Sequence, residues 1–122
     1  MQKVLYTING TVIRGIAAAQ KLGFPTANIS RGEYHRTKLN LKLGIYAGRV
    51  VIKESRASYK AGIVVGPDKI EAHLIGFSGE LYGKKISISF ADYLRKSLIF
   101  KDERLLKAQI RKDLRRVEKL IP

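Results

Sequence analysis

Ile86-Ser87-Ile88-Ser89-Phe90 alternates apolar and polar residues with period two, the pattern of a strand with one face in a core and one towards water. Working upstream, residues 76–83 read as a glycine-bearing loop. Ile70 to Ile75 and Tyr59 to Val65 read as two strands joined by the hairpin turn Gly66-Pro67-Asp68-Lys69. Ile45 to Lys53 is rich in β-formers and is followed by a turn over residues 54–58. Thr26 to Ser30 reads as extended, and Arg31 to Lys42 as a long exposed basic loop. Val4 to Thr7, Asn9-Gly10 and Thr11 to Arg14 read as strand, turn, strand. Several short strands separated by glycine turns make the chain mainly β, an antiparallel barrel or sandwich.

Downstream of the alternating strand the period changes. Leu106, Ile110, Leu114, Val117 and Ile121 recur at spacings of three and four, one apolar stripe on a helix. Asp102 stands where an N-cap belongs, with Glu103 in the first turn. Basic residues, among them Arg104, Arg111, Arg115 and Arg116, cover the rest. The helix is expected to lay its stripe on the sheet and show its basic face to solvent.

The 122 residues are read as one domain, 1–122, large enough to fold without a disulfide or metal staple. There is no cysteine, which excludes a thiol nucleophile, a disulfide framework and a cysteine zinc site. Two histidines exclude a multi-histidine metal site. The first nine residues are too short and polar for a signal peptide, and no apolar run approaches membrane length; the expectation is cytoplasmic, without membrane contact. Twenty-four basic residues against ten acidic give a net charge of +14, which attracts polyanions. A basic solvated surface is preferred as its explanation over a nucleic-acid function.

Leu22-Gly23-Phe24-Pro25-Thr26-Ala27-Asn28 carries the chemical signal. Pro25 fixes its own φ and pushes Phe24 towards extended geometry. Thr26 and Asn28, at spacing two, share a strand face. A hydroxyl and an amide carbonyl there suit a hard cation such as Mg²⁺. The alternative is a turn in which both bond their own backbone. Glu71 and His73 also share a face, which could simply be the solvent face. Gly10 to Gly15 has the glycine spacing of a P-loop, but Ile16 and Ala17 occupy the lysine and hydroxyl places. The loop of residues 15–23 can cover phosphates through backbone N–H groups. It can equally be an ordinary connection.

Gly10-Thr11-Val12-Ile13-Arg14-Gly15, then Leu22 to Ile29, resembles the opening of the riboflavin kinase family, G-x-V-x-x-G followed by L-G-x-P-T-A-N. Gly44-Ile45-Tyr46-Ala47, Glu71-Ala72-His73-Leu74 and Glu80-Leu81-Tyr82-Gly83 resemble its later motifs. Leu94-Arg95, Phe100, Leu105-Leu106, Gln109-Ile110 and Asp113 resemble its closing segment. The order and spacing of the set, from residue 10 to about residue 114, make it specific. Three places depart from the family: Ala19-Gln20 stand for its Gly-Arg, residues 66–69 for a longer connection, and Ser97 for the acid of its L-R-x-E.

The resemblance implies a six-stranded antiparallel Greek-key barrel with a C-terminal helix. It implies transfer of the ATP γ-phosphoryl group to the riboflavin 5′-hydroxyl, giving FMN and ADP; a monomer is expected, although the sequence does not fix the oligomeric state. Glu71 would be the general base. Thr26 and Asn28 would serve the metal, Mg²⁺ with Zn²⁺ or Mn²⁺ as alternatives. Gly15, Ala19, Gln20, Lys21, Gly23, Pro25, Thr26 and Asn28 would meet the nucleotide. Tyr82, Leu98 and Phe100 would meet riboflavin, and Arg95 either contacts substrate or phosphate through its planar fork or equally pairs with a surface acid. An adenylyltransferase domain often precedes such kinases; 122 residues leave no room for one, so a monofunctional kinase or an excised domain is expected. The rival is an inactive kinase-like barrel that binds RNA through its basic helix, or binds flavin as a regulatory module.

Overall fold

A computed structural model of the chain describes residues 6–14, 23–30, 41–67 and 69–122. Six strands, β1 (Tyr6–Thr11), β2 (Thr26–Ser30), β3 (Gly44–Ile52), β4 (Ser58–Val65), β5 (Lys69–Leu74) and β6 (Lys85–Arg95), precede one helix, α1 (Glu103–Leu120). All strand pairs are antiparallel, in the order β1-β6-β3-β4-β5-β2. β1 and β2 are the two edges of this sheet. Just past β1 the Ile13 N–H donates to the Asn28 carbonyl at 2.8 Å, so the sheet curls until its edges meet. Among the described residues the edges pair at this one bridge, so the sheet is a curled half-barrel with its strands antiparallel throughout.

Alternation fills the barrel. Ile8, Ile86, Ile88, Phe90, Val50, Ile63, Ile70 and Ile29 point inwards and are almost wholly buried. Ile86, Ile88 and Phe90 are the apolar half of the alternating pentapeptide. Its strand runs further than the alternation shows, to Arg95, because β3 pairs with it over nearly its whole length. The register shifts between Ala47 and Gly48, where a Cβ on Gly48 would stand 1.9 Å from the Ser89 carbonyl oxygen. Only glycine allows the two backbones to approach there.

α1 lies on the outer face of β3 and β4. Asp102 caps it by accepting from the Leu105 N–H at 2.9 Å. Val117 and Ile121 of the stripe pack with Ala47 and Ala91 of the sheet. Gly62 lies beneath it, where a Cβ would meet the Leu114 side chain at 3.1 Å, so a larger residue there requires Leu114 to shift slightly. Among the described residues no helix is long and apolar enough to cross a membrane.

Three sequence expectations change. Asn9-Gly10 is not a turn: both residues lie within β1, paired with Ser87 and Ile86, and Gly10 packs against Ile29. Leu41, assigned to an exposed loop, is buried in the core cluster; residues 31–40 lie outside the described residues. The acid Asp113 is buried within the helix face that the stripe alone was expected to occupy.

Candidate active site

β2 and β5 place Thr26 directly opposite His73, Asn28 opposite Glu71 and Ser30 opposite Lys69. Ala27, Ile29, Ile70 and Ala72 alternate with them and enter the core. A polar ladder is therefore fixed on the outer face by the same periodicity that fills the barrel. On its other side β5 pairs with β4, which sets Val64 beside Glu71 and Gly62 beside His73. The outer face thus turns apolar within one strand, and there α1 covers it.

Two clefts flank this ladder. One, about 200 Å³, lies between the sheet and α1; Glu71 and His73 line it together with Ile45, Val64, Leu98 and Leu106. The other, about 420 Å³, is bounded by Gly23 to Thr26 on one side and Phe77 to Leu81 on the other. Thr26 belongs to one cleft and its cross-strand partner His73 to the other. Directly paired residues stand only about 5 Å apart, so one rung of the ladder has a member in each cleft.

Glu71 is partly buried, its side chain 18% exposed. Lys69 Nζ lies 3.2 Å from its Oε1. His73 Nε2 lies 3.8 Å from its Oε2, an ion-pair distance too long for a hydrogen bond. The neighbouring His73 ring holds the Glu71 carboxyl below its ordinary 4.5; burial opposes this, and Lys69 adds to it. The carboxylate is thus ionised at neutral pH, able to orient a hydroxyl and accept its proton.

Asn28 is 2% exposed and His73 7%. Asn28 Oδ1 and His73 Nε2 are the buried side-chain polar atoms without a hydrogen-bond partner among the described residues. Such atoms cost about 1–3 kcal/mol each when left unpaired. A ligand reaches Asn28 Oδ1 only when a neighbour moves aside. The Thr26 hydroxyl donates to the Phe24 carbonyl at 2.9 Å, which leaves its oxygen lone pairs available. These two oxygens fit a hard cation with oxygen ligands. No group of three His, Cys, Asp or Glu side chains gathers to hold a metal among the described residues. A cation here would therefore take most of its ligands from phosphate and water.

The remaining candidates divide. Gly23, with φ of 93°, and Pro25 line the larger cleft. Gly15, Ala19, Gln20 and Lys21 lie outside the described residues. Leu98 lines the cleft under α1 and is 57% exposed. Phe100 is half-buried beyond it. Tyr82 is exposed, with the Arg14 guanidinium 4.4 Å above its ring, and lines neither cleft. Arg95, expected to hold substrate, spends its planar fork on Asp113: Nε donates to Oδ1 at 3.0 Å and Nη2 to Oδ2 at 2.6 Å. Gln109 Nε2 donates to the same Oδ1 at 2.9 Å. Lys69 and Asp113 were not singled out for the site. The signals were there, a lysine two residues before Glu71 on one strand face and an acid three residues after Ile110 on an apolar stripe.

A family model described as riboflavin kinase matches residues 2–121. The bifunctional riboflavin kinase/FMN adenylyltransferase of Mycoplasma pneumoniae is 35% identical in an alignment of 116 residues that covers 93% of this chain and 42% of that protein. An RNA-binding riboflavin kinase of Bacillus subtilis is 31% identical over 119 residues, covering 92% of this chain and 50% of that one. The chain therefore spans half or less of these relatives. The solved riboflavin kinase of Trypanosoma brucei has the same fold, with a TM-score of 0.64 over 99% of this chain and 81% of that one, at 22% identity. With the barrel, the ladder and a match along nearly its full length, the chain belongs to the riboflavin kinase family.

Proposed function

We propose that the chain transfers the γ-phosphoryl group of ATP to the 5′-hydroxyl of riboflavin, giving FMN and ADP. One observation carries this reading: the polar ladder stands between two clefts, with a carboxylate on one rung and an unpartnered buried carbonyl oxygen across from it. The cleft under α1, walled by Ile45, Val64, Leu98 and Leu106, suits the flat apolar isoalloxazine ring. The cleft at Gly23 to Thr26 suits the nucleotide, with its phosphates towards Thr26 and Asn28.

Glu71 orients the 5′-hydroxyl and accepts its proton as the oxygen attacks the γ-phosphorus. The new O–P bond forms as the bond to the β-phosphate oxygen breaks, and ADP leaves. Thr26 and Asn28 would hold Mg²⁺, which when bound neutralises phosphate charge. The all-oxygen donor pair fits Mg²⁺ or Mn²⁺ better than Zn²⁺, which favours nitrogen and sulphur. No residue forms a covalent intermediate, as phosphoryl transfer needs positioning and charge neutralisation above all. The Glu71, Thr26 and Asn28 side chains come from one chain, and the reaction is read as that of a monomer with residues 1–122 as one kinase-like domain.

The test is incubation with riboflavin, ATP and Mg²⁺ followed by chromatography. FMN and ADP in equal amounts are expected; no FMN overturns the reading. A second reading, RNA binding by the exposed basic face of α1, draws on the net charge and on the name of the Bacillus subtilis relative. It does not account for the ladder.

A further inference from the structure

The Glu71 carboxylate is shared by two unequal partners. His73, on one side, has a side chain 8% exposed and lines the cleft between the sheet and α1. Lys69, on the other, has a side chain 33% exposed. Its backbone is fixed, since it pairs with Ser30 and its carbonyl accepts from the Gly66 N–H at 3.0 Å. Only the four-carbon stem is free to swing. Among the described residues Lys69 is the one lysine or arginine in ion-pair contact with Glu71.

The ammonium stands at Oε1 of the group that must meet the 5′-hydroxyl and takes up part of its accepting capacity. It also supplies what the reaction lacks. Negative charge spreads over the three equatorial oxygens of the transferring group, and a cation placed there lowers the barrier. The γ-phosphorus must come within bonding range of the hydroxyl that Glu71 orients. An ammonium already touching Glu71 is then within a short swing of the phosphoryl oxygens.

Resting on the kinase reading above, we propose that Lys69 is a catalytic residue that passes from Glu71 to the transferring phosphoryl group when both substrates are bound. Its departure frees Oε1 for the 5′-hydroxyl, while His73 stays beside the carboxylate and favours its ionised form. The hydroxyl proton goes to Glu71, and the bonds formed and broken are those of the transfer itself.

A plain surface ion pair makes a different prediction, because such pairs contribute little to stability and nothing to turnover. The experiment compares Lys69→Met, Lys69→Arg and Lys84→Met, the last removing an exposed pair with Glu54 at 3.5 Å, away from both clefts. FMN formation gives kcat and KM, and quenching of flavin fluorescence gives riboflavin affinity. Lys69→Met is expected to lower kcat about 10²-fold. Its riboflavin affinity and melting temperature should stay near wild type. Lys69→Arg should recover most of the loss, and Lys84→Met should match wild type. If Lys69→Met misfolds, Lys69→Gln carries the same comparison. Wild-type kcat in the Met or Gln variant, with an active wild type, overturns the role of Lys69 alone. An inactive wild type overturns the kinase reading and this proposal with it.

Discussion

Glu71 and its cross-strand neighbours Asn28 and Thr26 make separable contributions. Glu71→Gln keeps the volume and removes the base; turnover should fall about 10²–10⁴-fold with riboflavin binding retained. Near-normal FMN formation by this variant would remove Glu71 from the role. Asn28→Ala or Thr26→Ala should weaken Mg²⁺-dependent ATP binding, read by calorimetry, more than riboflavin binding. The lowered Glu71 pKa fixes the sign of the pH dependence. A carboxyl whose folded value lies below its ordinary 4.5 stabilises the fold above that value, and the gain is lost as pH falls through the lower folded one. The ionised, active form also persists to that lower pH. His73 is the main cause, so His73→Phe should move the acid limb of the kcat profile upwards towards 4.5. An unmoved limb would mean that the ring does not govern the carboxylate.

At the scale of elements, β6 and α1 are joined by a buried ion pair rather than by apolar contact alone. Arg95 closes β6, Asp113 sits mid-helix, and Gln109 one turn earlier completes the carboxylate's bonding. Removing one partner of such a pair strands the other charge, at a cost of about 3–5 kcal/mol. Asp113→Ala is expected to show that loss in urea unfolding, and to loosen riboflavin binding because Asp113 also lines the cleft under α1. Wild-type stability would show that the pair is solvated. The join was illegible in the chain because Arg95 and Asp113 are eighteen positions apart and only the packing of α1 brings them together. The helix itself was plain from the Asp102 cap and the spacing of Ile110, Val117 and Ile121.

The whole molecule carries a net charge of +14, and much of it faces solvent on α1, where Arg104, Arg111, Arg115 and Arg116 are exposed. If phosphate contacts on this face hold RNA, reversing Arg111, Arg115 and Arg116 together should weaken binding and flatten its dependence on salt. If the face only solvates the protein, the triple variant should make FMN at the wild-type rate, apart from a modest salt-sensitive change in ATP arrival. The second outcome is expected. Filter binding at physiological salt decides it, and tight wild-type binding abolished by the reversals would favour RNA as a partner.

Sequence by itself determined what depends on neighbours along the chain. The alternation at Ile86 to Phe90, the capped and striped helix, and the shared strand faces of Thr26 with Asn28 and of Glu71 with His73 follow from backbone periods of 2.0 and 3.6. Nothing local could fix register or closure. Asn9-Gly10 is as good a hairpin turn as a strand segment until β6 pairs along it and Ile29 packs on Gly10. The outer face of β5 looked like a solvent face because a period of two distinguishes two sides without naming which is covered. Tertiary structure alone decided that α1 packs on β3 and β4 beside that face, that Asn28 stands across from Glu71, and that Arg95 reaches Asp113. Each of these is a contact between segments far apart in sequence, set by how buried surfaces pack and not by the residues on either side.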